Sequence, residues 1–164
     1  MKKILLALVL ATLMSAGAFA QRPDGWGIGI MGQYGLDWYH ANHGTAVFSL
    51  KAPQLPIYWG IRISAHGDWF HIGVSGDYYL LEQSLVDDIN FGWYFGLGGY
   101  VGLGSHGVQL GGRLPVGIYI LPLEEIPLEI FLEIVPTINI LFHENGVRFP
   151  TGGAHFGLGI RFWF

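Results

Sequence analysis

The 164-residue sequence contains no cysteine and very few charged residues. The absence of cysteine excludes a disulfide framework and thiolate chemistry. Acidic and basic residues make up 12% of the chain, about half of the usual share in a soluble domain, whereas aromatic residues reach 15%. So few charges cannot cover the surface of a water-soluble protein of this size. The composition therefore predicts that much of the surface faces a solvent other than water.

The first twenty residues have the three parts of a secretory signal. Lys2 and Lys3 form the basic region, residues 4–14 the apolar core, and Ala18-Phe19-Ala20 the cleavage site. A membrane anchor is the alternative, but the apolar run is short and ends at small residues. Removal of residues 1–20 would leave residues 21–164 as one domain, and the eight basic residues would fall to six against twelve acidic ones. This acidic balance argues against nucleic acid as a partner.

The sequence also lacks a convincing transmembrane helix, which would need about twenty consecutive apolar residues. The nearest candidate is the segment 89–110, which contains no acidic or basic residue. Its glycines recur mostly at alternate positions, 92, 96, 98, 102 and 104. This is a period of two rather than 3.6, and so much glycine would weaken a helix. The segment is therefore expected to form β-structure.

The same period of two recurs through most of the chain, and it predicts eight strands. Successive side chains of a strand point to opposite faces, so each segment has one apolar face and one face of glycines and polar residues. The predicted strands are 26–38, 45–51, 57–64, 70–80, 91–103, 110–120, 128–140 and 153–164. Nearly every charge within a strand lies on the polar face: Asp37, Lys51, Arg62, Asp77, Arg113, Glu129, Glu133 and Arg161.

A soluble barrel would place its apolar residues inside and its charges outside. The opposite arrangement, with an apolar face toward lipid and a polar face inward, is typical of outer-membrane barrels. Closure into a barrel would also protect the apolar final strand, which ends on Phe164 and would otherwise be an exposed edge. We therefore predict an all-β, eight-stranded antiparallel up-and-down transmembrane β-barrel over residues 21–164. If 45–51 and 57–64 were one bent strand, the count would be seven, against the even number usual in such barrels.

An eight-stranded barrel leaves an interior just wide enough to be filled by side chains. The eight inward charges must then pair with one another, because an isolated charge in a narrow dry lumen costs several kcal/mol. This predicts a lumen charge network that seals the barrel, and with it a structural or surface-contact role. The alternative is a narrow channel for small, even apolar, solutes. An enzyme is not expected, because Glu129 and Glu133 lie about 13 Å apart along a strand and no serine sits in a nucleophile elbow.

The histidines form the most specific pattern in the sequence. On the predicted strand map all seven fall at one end of the barrel: His40, His43, His66, His71, His106, His143 and His155. Imidazole is a common ligand of zinc and copper and titrates nearest to neutral pH. The hypothesis is a divalent-metal or haem-related contact, or a pH response, at the outer mouth. The alternative is that these histidines occupy interfacial loops and never converge, in which case no cofactor is expected.

Three segments carry a resemblance to a known group of proteins. They are residues 112–117 (GRLPVG), residues 127–136 (PLEIFLEIVP) and the closing Arg161-Phe162-Trp163-Phe164. Together they resemble the small, mostly uncharacterised outer-membrane barrels of spirochaetes, which are distantly similar in architecture to the OmpX, OmpA and OmpW groups. The resemblance implies the fold, an outer-membrane location and an assembly signal in Phe162 and Phe164 for the barrel-insertion machinery. We also expect a monomer in the lipid bilayer.

Overall fold

The computed structural model describes residues 22–23, 25–37, 43–66, 69–86, 89–105, 107–123 and 126–164. The predicted signal segment 1–20 lies outside these residues. Within the described ranges no helix is long and apolar enough to cross a membrane. The strands in these ranges are β1 Gly27–Asp37, β2 His43–Lys51, β3 Ile57–His66, β4 Trp69–Val86, β5 Phe91–Gly104, β6 Gly107–Arg113, β7 Val116–Ile120, β8 Leu128–His143 and β9 Gly146–Trp163.

The sheet closes on itself into a barrel. All pairings between neighbours are antiparallel, and β1 pairs with β9 from Gly27 opposite Trp163 to Asp37 opposite Gly153. The strands β6 and β7 share one position in the wall, because both lie between β5 and β8. The barrel is therefore a ring of eight antiparallel up-and-down strands, and the predicted fold class is confirmed.

The gap between β6 and β7 falls at Leu114-Pro115, in the middle of the predicted strand 110–120. Proline has no backbone N–H to donate and therefore interrupts a ladder. The wall nevertheless stays bonded there, because the Pro115 carbonyl accepts a bond from the Gly96 N–H and the Leu114 N–H donates to the Pro136 carbonyl, at 2.8 and 3.0 Å. The sixth predicted strand is thus two short strands in one line.

The second strand is a separate element. β2 has nine residues, and it pairs with β1 on one side and β3 on the other. The turn after it is held by the Leu55 N–H bonded to the Ala52 carbonyl at 3.2 Å, and by the Lys51 Nζ, which donates to both the Ala52 and Leu55 carbonyls at 2.8 Å. The wall therefore turns back at Pro53 and Pro56 rather than bending, and the even strand count holds.

The outer wall of the barrel is apolar along every strand. On β1, for example, Ile28, Ile30, Tyr34 and Leu36 are exposed, while the alternate positions are buried. The alternation is interrupted twice on β4, where the register against β5 shifts between Tyr79 and Leu81 and again between Ser84 and Val86. Such a bulge inserts one residue and re-aims the side chains beyond it. The exposed apolar side chains of the strands together form a continuous apolar band around the barrel. An apolar surface of this extent is unfavourable in water and is suited to contact with lipid.

The lipid-facing wall yields the first prediction. Leu132 is exposed on β8 between Ile118 of β7 and Leu158 of β9. Leu132→Arg would place a charge near the middle of the apolar band, and we expect the barrel to lose about 2–4 kcal/mol of unfolding free energy in lipid vesicles. Urea titration of the refolded barrel, followed by tryptophan fluorescence, measures the change.

The matched control is Val147→Arg, at the far end of the β8–β9 hairpin. Val147 is equally apolar and exposed, but β1 pairs with β9 only as far as Gly153, so Val147 lies beyond the part of β9 that β1 covers. There we expect a cost of about 0–1 kcal/mol. Equal losses for the two variants would contradict a lipid-facing wall.

Candidate functional site

The interior of the barrel is filled by charged and aromatic side chains. The structure places Arg62, Asp77, Arg113, Glu129, Glu133 and Arg161 on the inner face, all buried. Lys51 is half-buried and binds the turn after β2. The backbone of Asp37 ends β1, but its side chain lies outside what the structure describes. The interior has two ends: a terminal end, where β1 begins and β9 ends, and a loop end, where the connections β1–β2, β3–β4, β5–β6 and β8–β9 lie.

Glu129 is the centre of the network at the terminal end and has no accessible surface. Both of its carboxylate oxygens accept bonds from Arg161 Nη1, at 3.1 and 3.2 Å, and the Trp163 Nε1 donates to it at 2.8 Å. Arg161 also donates through Nη2 to the Ser49 hydroxyl at 3.1 Å. Charge-assisted hydrogen bonds of this kind offset the free-energy cost of removing both ions from water. Either ion buried without the other would be strongly destabilising.

A second arginine, Arg22, reaches the same carboxylate from the segment before β1. Its Nη2 lies 2.9 Å from Glu129 and its Nη1 lies 3.4 Å from Glu82. The guanidinium is surrounded by tyrosine rings, each within cation–π range. Its carbon is 5.6, 5.3, 4.8 and 4.0 Å from the ring centroids of Tyr58, Tyr79, Tyr94 and Tyr119.

The alternation of apolar and polar residues does not predict this role for Arg22 or Glu82. Glu82 follows the predicted end of its strand at residue 80, and only the bulge in β4 turns it inward, opposite Tyr94. Arg22 lies before β1 and belongs to no strand, so the two-residue alternation of strand side chains cannot predict where its side chain points. The signal that does exist is the set of four inward tyrosines near Glu129, because stacked electron-rich rings beside a carboxylate favour a cation.

The middle of the lumen contains a second set of ion pairs centred on Arg113. Its Nε lies 2.9 Å from Asp77, and its Nη2 lies 3.7 Å from Glu133. Glu133 also accepts bonds from Gln33 Nε2 and from the Tyr94 hydroxyl, both at 3.0 Å. Tyr94 has room there because Gly117 faces it from β7; a Cβ at Gly117 would overlap the Tyr94 ring. The terminal end and the middle of the lumen are thus occupied by paired charges and aromatic rings.

A small cavity remains in the half of the lumen nearer the loop end. It has about 40 Å³ of room, enough for a few water molecules. Two arginines, Arg62 and Arg113, line it together with three histidines, His43, His71 and His155. The rings of His43 and His155 meet edge-on with centroids 6.0 Å apart, and a nitrogen of His71 lies 3.0 Å from the Tyr100 hydroxyl.

The structure brings together only some of the seven histidines. His143 lies at the end of β8, where its Nδ1 accepts a bond from the Asn145 N–H at 3.1 Å, and His66 ends β3. His40 and His106 lie outside the described residues. Among the described residues, no three histidine or acidic side chains lie close enough to hold a metal ion. The metal, haem and pH hypotheses for this rim stay predictions.

The aromatic residues of the predicted assembly signal lie on the outer wall. Phe162 and Phe164 are both exposed, and their ring centroids are 6.3 Å apart. The Phe164 backbone exchanges two hydrogen bonds with Trp26, at 2.8 and 2.9 Å, which extends the β1–β9 pairing to the last residue. The terminus is therefore bound into the wall with its aromatic side chains outward.

Three serines that could have served a catalytic function are bonded elsewhere. The Ser49 hydroxyl accepts from Arg161, and the Ser75 hydroxyl donates to the Gly60 carbonyl at 3.5 Å. The Ser105 hydroxyl exchanges bonds with the Phe70 backbone, at 3.0 and 3.4 Å. These serines support the wall and the charge network.

The fold is similar to that of a known surface protein. The crystal structure of Neisserial surface protein A (NspA) superposes with a TM-score of 0.53 at 13% sequence identity, over 85% of this chain and 96% of that one. At this identity the likeness concerns the fold alone. No protein-family model matches the sequence, and no curated protein matches it.

The buried network yields the second prediction. Glu129→Gln keeps the size of the side chain but removes the charge that Arg161 and Arg22 share. Breaking a buried ion pair from one side typically costs about 3–5 kcal/mol, and we expect a loss of that size in the unfolding free energy. Urea unfolding in vesicles, followed by the combined fluorescence of the six tryptophans, measures the loss.

Glu144→Gln is the control, because Glu144 is an exposed carboxylate in the turn between β8 and β9. It should leave both stability and fluorescence unchanged. If Glu129→Gln were as stable as the parent protein, the network at the terminal end would not be a structural requirement.

Proposed function

We propose that the protein is a small integral outer-membrane β-barrel, exported through a cleaved signal peptide, with a sealed lumen and a structural or surface-contact role. The likeness to a Neisserial surface protein supports this reading at the level of fold. The apolar wall requires lipid around it, and a barrel without a free edge satisfies its backbone hydrogen bonds there. We expect it to act as a monomer with the lipid bilayer as its main partner, and without a cofactor or a catalytic role.

The observation that carries the sealed lumen is the succession of paired layers along the barrel axis. Glu129 with Arg161 and Arg22 closes the terminal end, and Arg113 with Asp77 and Glu133 closes the middle. Tyrosine rings fill the space between these layers: Tyr58 stacks on Tyr79 with centroids 4.0 Å apart, and Tyr79 stacks on Tyr94 at 4.3 Å. An ion that crossed would have to displace several buried, mutually neutralised groups at once.

The surface-contact role is supported by the β8–β9 hairpin. With eight strands both termini share one end, which is periplasmic in single-chain barrels, so the loop end would face outside. The part of β9 before Gly153 pairs with β8 but not with the described part of β1. It displays Val147 and Phe149, each more than 60% exposed. Apolar side chains at a projecting tip are suited to contact with a partner or with the outer leaflet.

The C-terminal strand supports assembly by the barrel-insertion machinery. Phe162 and Phe164 present adjacent aromatic rings on the outer wall of a strand whose pairing closes the barrel. Phe164→Ser should slow insertion, because the last ring of this outward pair would be lost. The measurement is the rate of folding into proteoliposomes with and without the insertion machinery, read from heat-modifiable gel mobility.

Phe149→Ser is the matched control for this third prediction, since Phe149 is an equally exposed phenylalanine on the same strand but at the loop end. It should fold at the parental rate with the machinery present. A recognition signal is contradicted if Phe164→Ser slows unassisted folding as much as assisted folding.

The sealed lumen is tested by conductance in planar bilayers, the fourth prediction. The parent barrel should insert without discrete current steps, whereas a known porin added to the same bilayer should give them. The narrow channel remains the competing function, and reproducible single-channel steps from the purified barrel would favour it. In the triple variant Arg22→Ser, Glu82→Ser and Glu129→Ser, Arg161 is the one charged member of the terminal layer that remains. Current steps from this variant should be rare as well, because the Arg113 layer in the middle is unchanged.

A further inference from the structure

Arg62 is the buried charge that the ion-pair network leaves out. Its side chain projects from β3 into the loop-end half of the lumen and is only 6% exposed. The other three arginines inside the barrel contact carboxylates, but no described carboxylate lies within ion-pair distance of Arg62. Its guanidinium carbon lies 5.6 Å from the Tyr100 ring centroid, and its Nη1 is buried without a hydrogen-bond acceptor in the part of the chain that the structure describes.

This arrangement is costly unless something else occupies the space in front of Arg62. A guanidinium cannot lose its proton at any ordinary pH, so the charge cannot be removed by titration. A buried N–H group without an acceptor costs free energy comparable to a lost hydrogen bond, and more when it is charged. The face of Tyr100 offsets part of the charge but accepts none of the N–H bonds.

The cavity next to Arg62 contains the groups that an anion needs. Arg113 of β6 lines the cavity as well. The hydroxyls of Thr45 and Ser64 and the amide of Gln109 supply neutral donors. None of its described lining residues is a carboxylate. The two acids of the adjacent layer, Asp77 and Glu133, are already held by Arg113.

The three histidines that line the cavity are compatible with an anion in either protonation state. A neutral imidazole has one N–H donor and a protonated one has two. His43, His71 and His155 face this space from β2, β4 and β9, and they surround the cavity on the side nearer the loop end. The site therefore combines one unneutralised cation with several neutral groups that can donate, although the hydroxyls and the amides of Gln109 and Asn139 can also accept.

We propose that this cavity binds a small inorganic anion, a halide or a small oxyanion, with Arg62 as its principal ligand. The anion would accept the Nη1 hydrogen bond and neutralise Arg62, which contacts no carboxylate of the described interior. The room of about 40 Å³ admits an ion of a few atoms. A water molecule would fit the space as well, but it would accept a hydrogen bond without neutralising the charge.

An NMR titration at constant ionic strength tests the proposal. Sodium gluconate, whose anion is too large for the cavity, is replaced stepwise by sodium chloride in one series and by sodium phosphate in another. The sample is the full barrel refolded in a zwitterionic detergent. We expect saturable shifts of the backbone amides of Thr45, Arg62 and Ser64 in at least one series. Saturation by chloride alone identifies a halide site, and saturation by phosphate alone an oxyanion site.

Two variants separate a specific site from general salt effects. Arg62→Gln should weaken the apparent affinity at least tenfold, whereas Lys51→Gln, which removes a cation bound to the turn after β2, should leave it unchanged. Should Arg62→Gln fail to fold, Ser64→Ala keeps both arginines and removes one donor, and a several-fold weaker affinity is expected. Shifts that rise linearly with salt in both series, or that are the same in the parent and in Arg62→Gln or Ser64→Ala, would overturn the proposal.

Discussion

The pairing of Glu129 with two arginines is the interaction on which the interior of the barrel depends. A carboxylate without accessible surface must be neutralised by groups within a few ångströms. Arg161 supplies one cation from the neighbouring strand, directly across the β8–β9 ladder. Arg22 supplies the other from outside the sheet. The second contact ties the segment before β1 to the inside of the wall, so the residues that lead into the barrel also help to fill it.

The requirement for pairing follows from the size of the barrel. Eight strands enclose too little space for a water-filled passage, so inward side chains must contact each other. Glycines on the inner face make this possible without widening the ring: a Cβ at Gly92 would meet the Tyr119 ring at 2.7 Å, and Gly73 stands in the same relation to Tyr100. The inward glycines thus make the space that the inward tyrosine rings occupy.

The fold was predictable because one signal, the alternation of apolar and polar residues, is repeated in every strand. Each strand shows the signal independently, so the break at Leu114-Pro115 and the short β2 did not obscure the ring of eight. The charges on strands followed from the same signal, and Arg113, Glu129 and Arg161 lie inside as their parity predicts. The odd or even position of a residue cannot predict which charges form ion pairs, because these contacts depend on the stagger between strands. It also fails beyond the bulge at Tyr79 and Leu81 of β4, where Glu82 turns to the inner face.

The two halves of the lumen differ in charge, and the sequence indicates this difference only through the histidines that it places at one end. At the terminal end and in the middle, three arginines share four carboxylates, Asp77, Glu82, Glu129 and Glu133, so these layers contain more acid than base. The fourth arginine, Arg62, lies toward the loop end, where histidines replace acids. The described interior is neutral as a whole but polarised along the barrel axis, negative toward the termini and positive toward the loops. A field of this direction favours anions at the loop end and opposes their passage through the acidic layers, which agrees with the small-anion site proposed around Arg62.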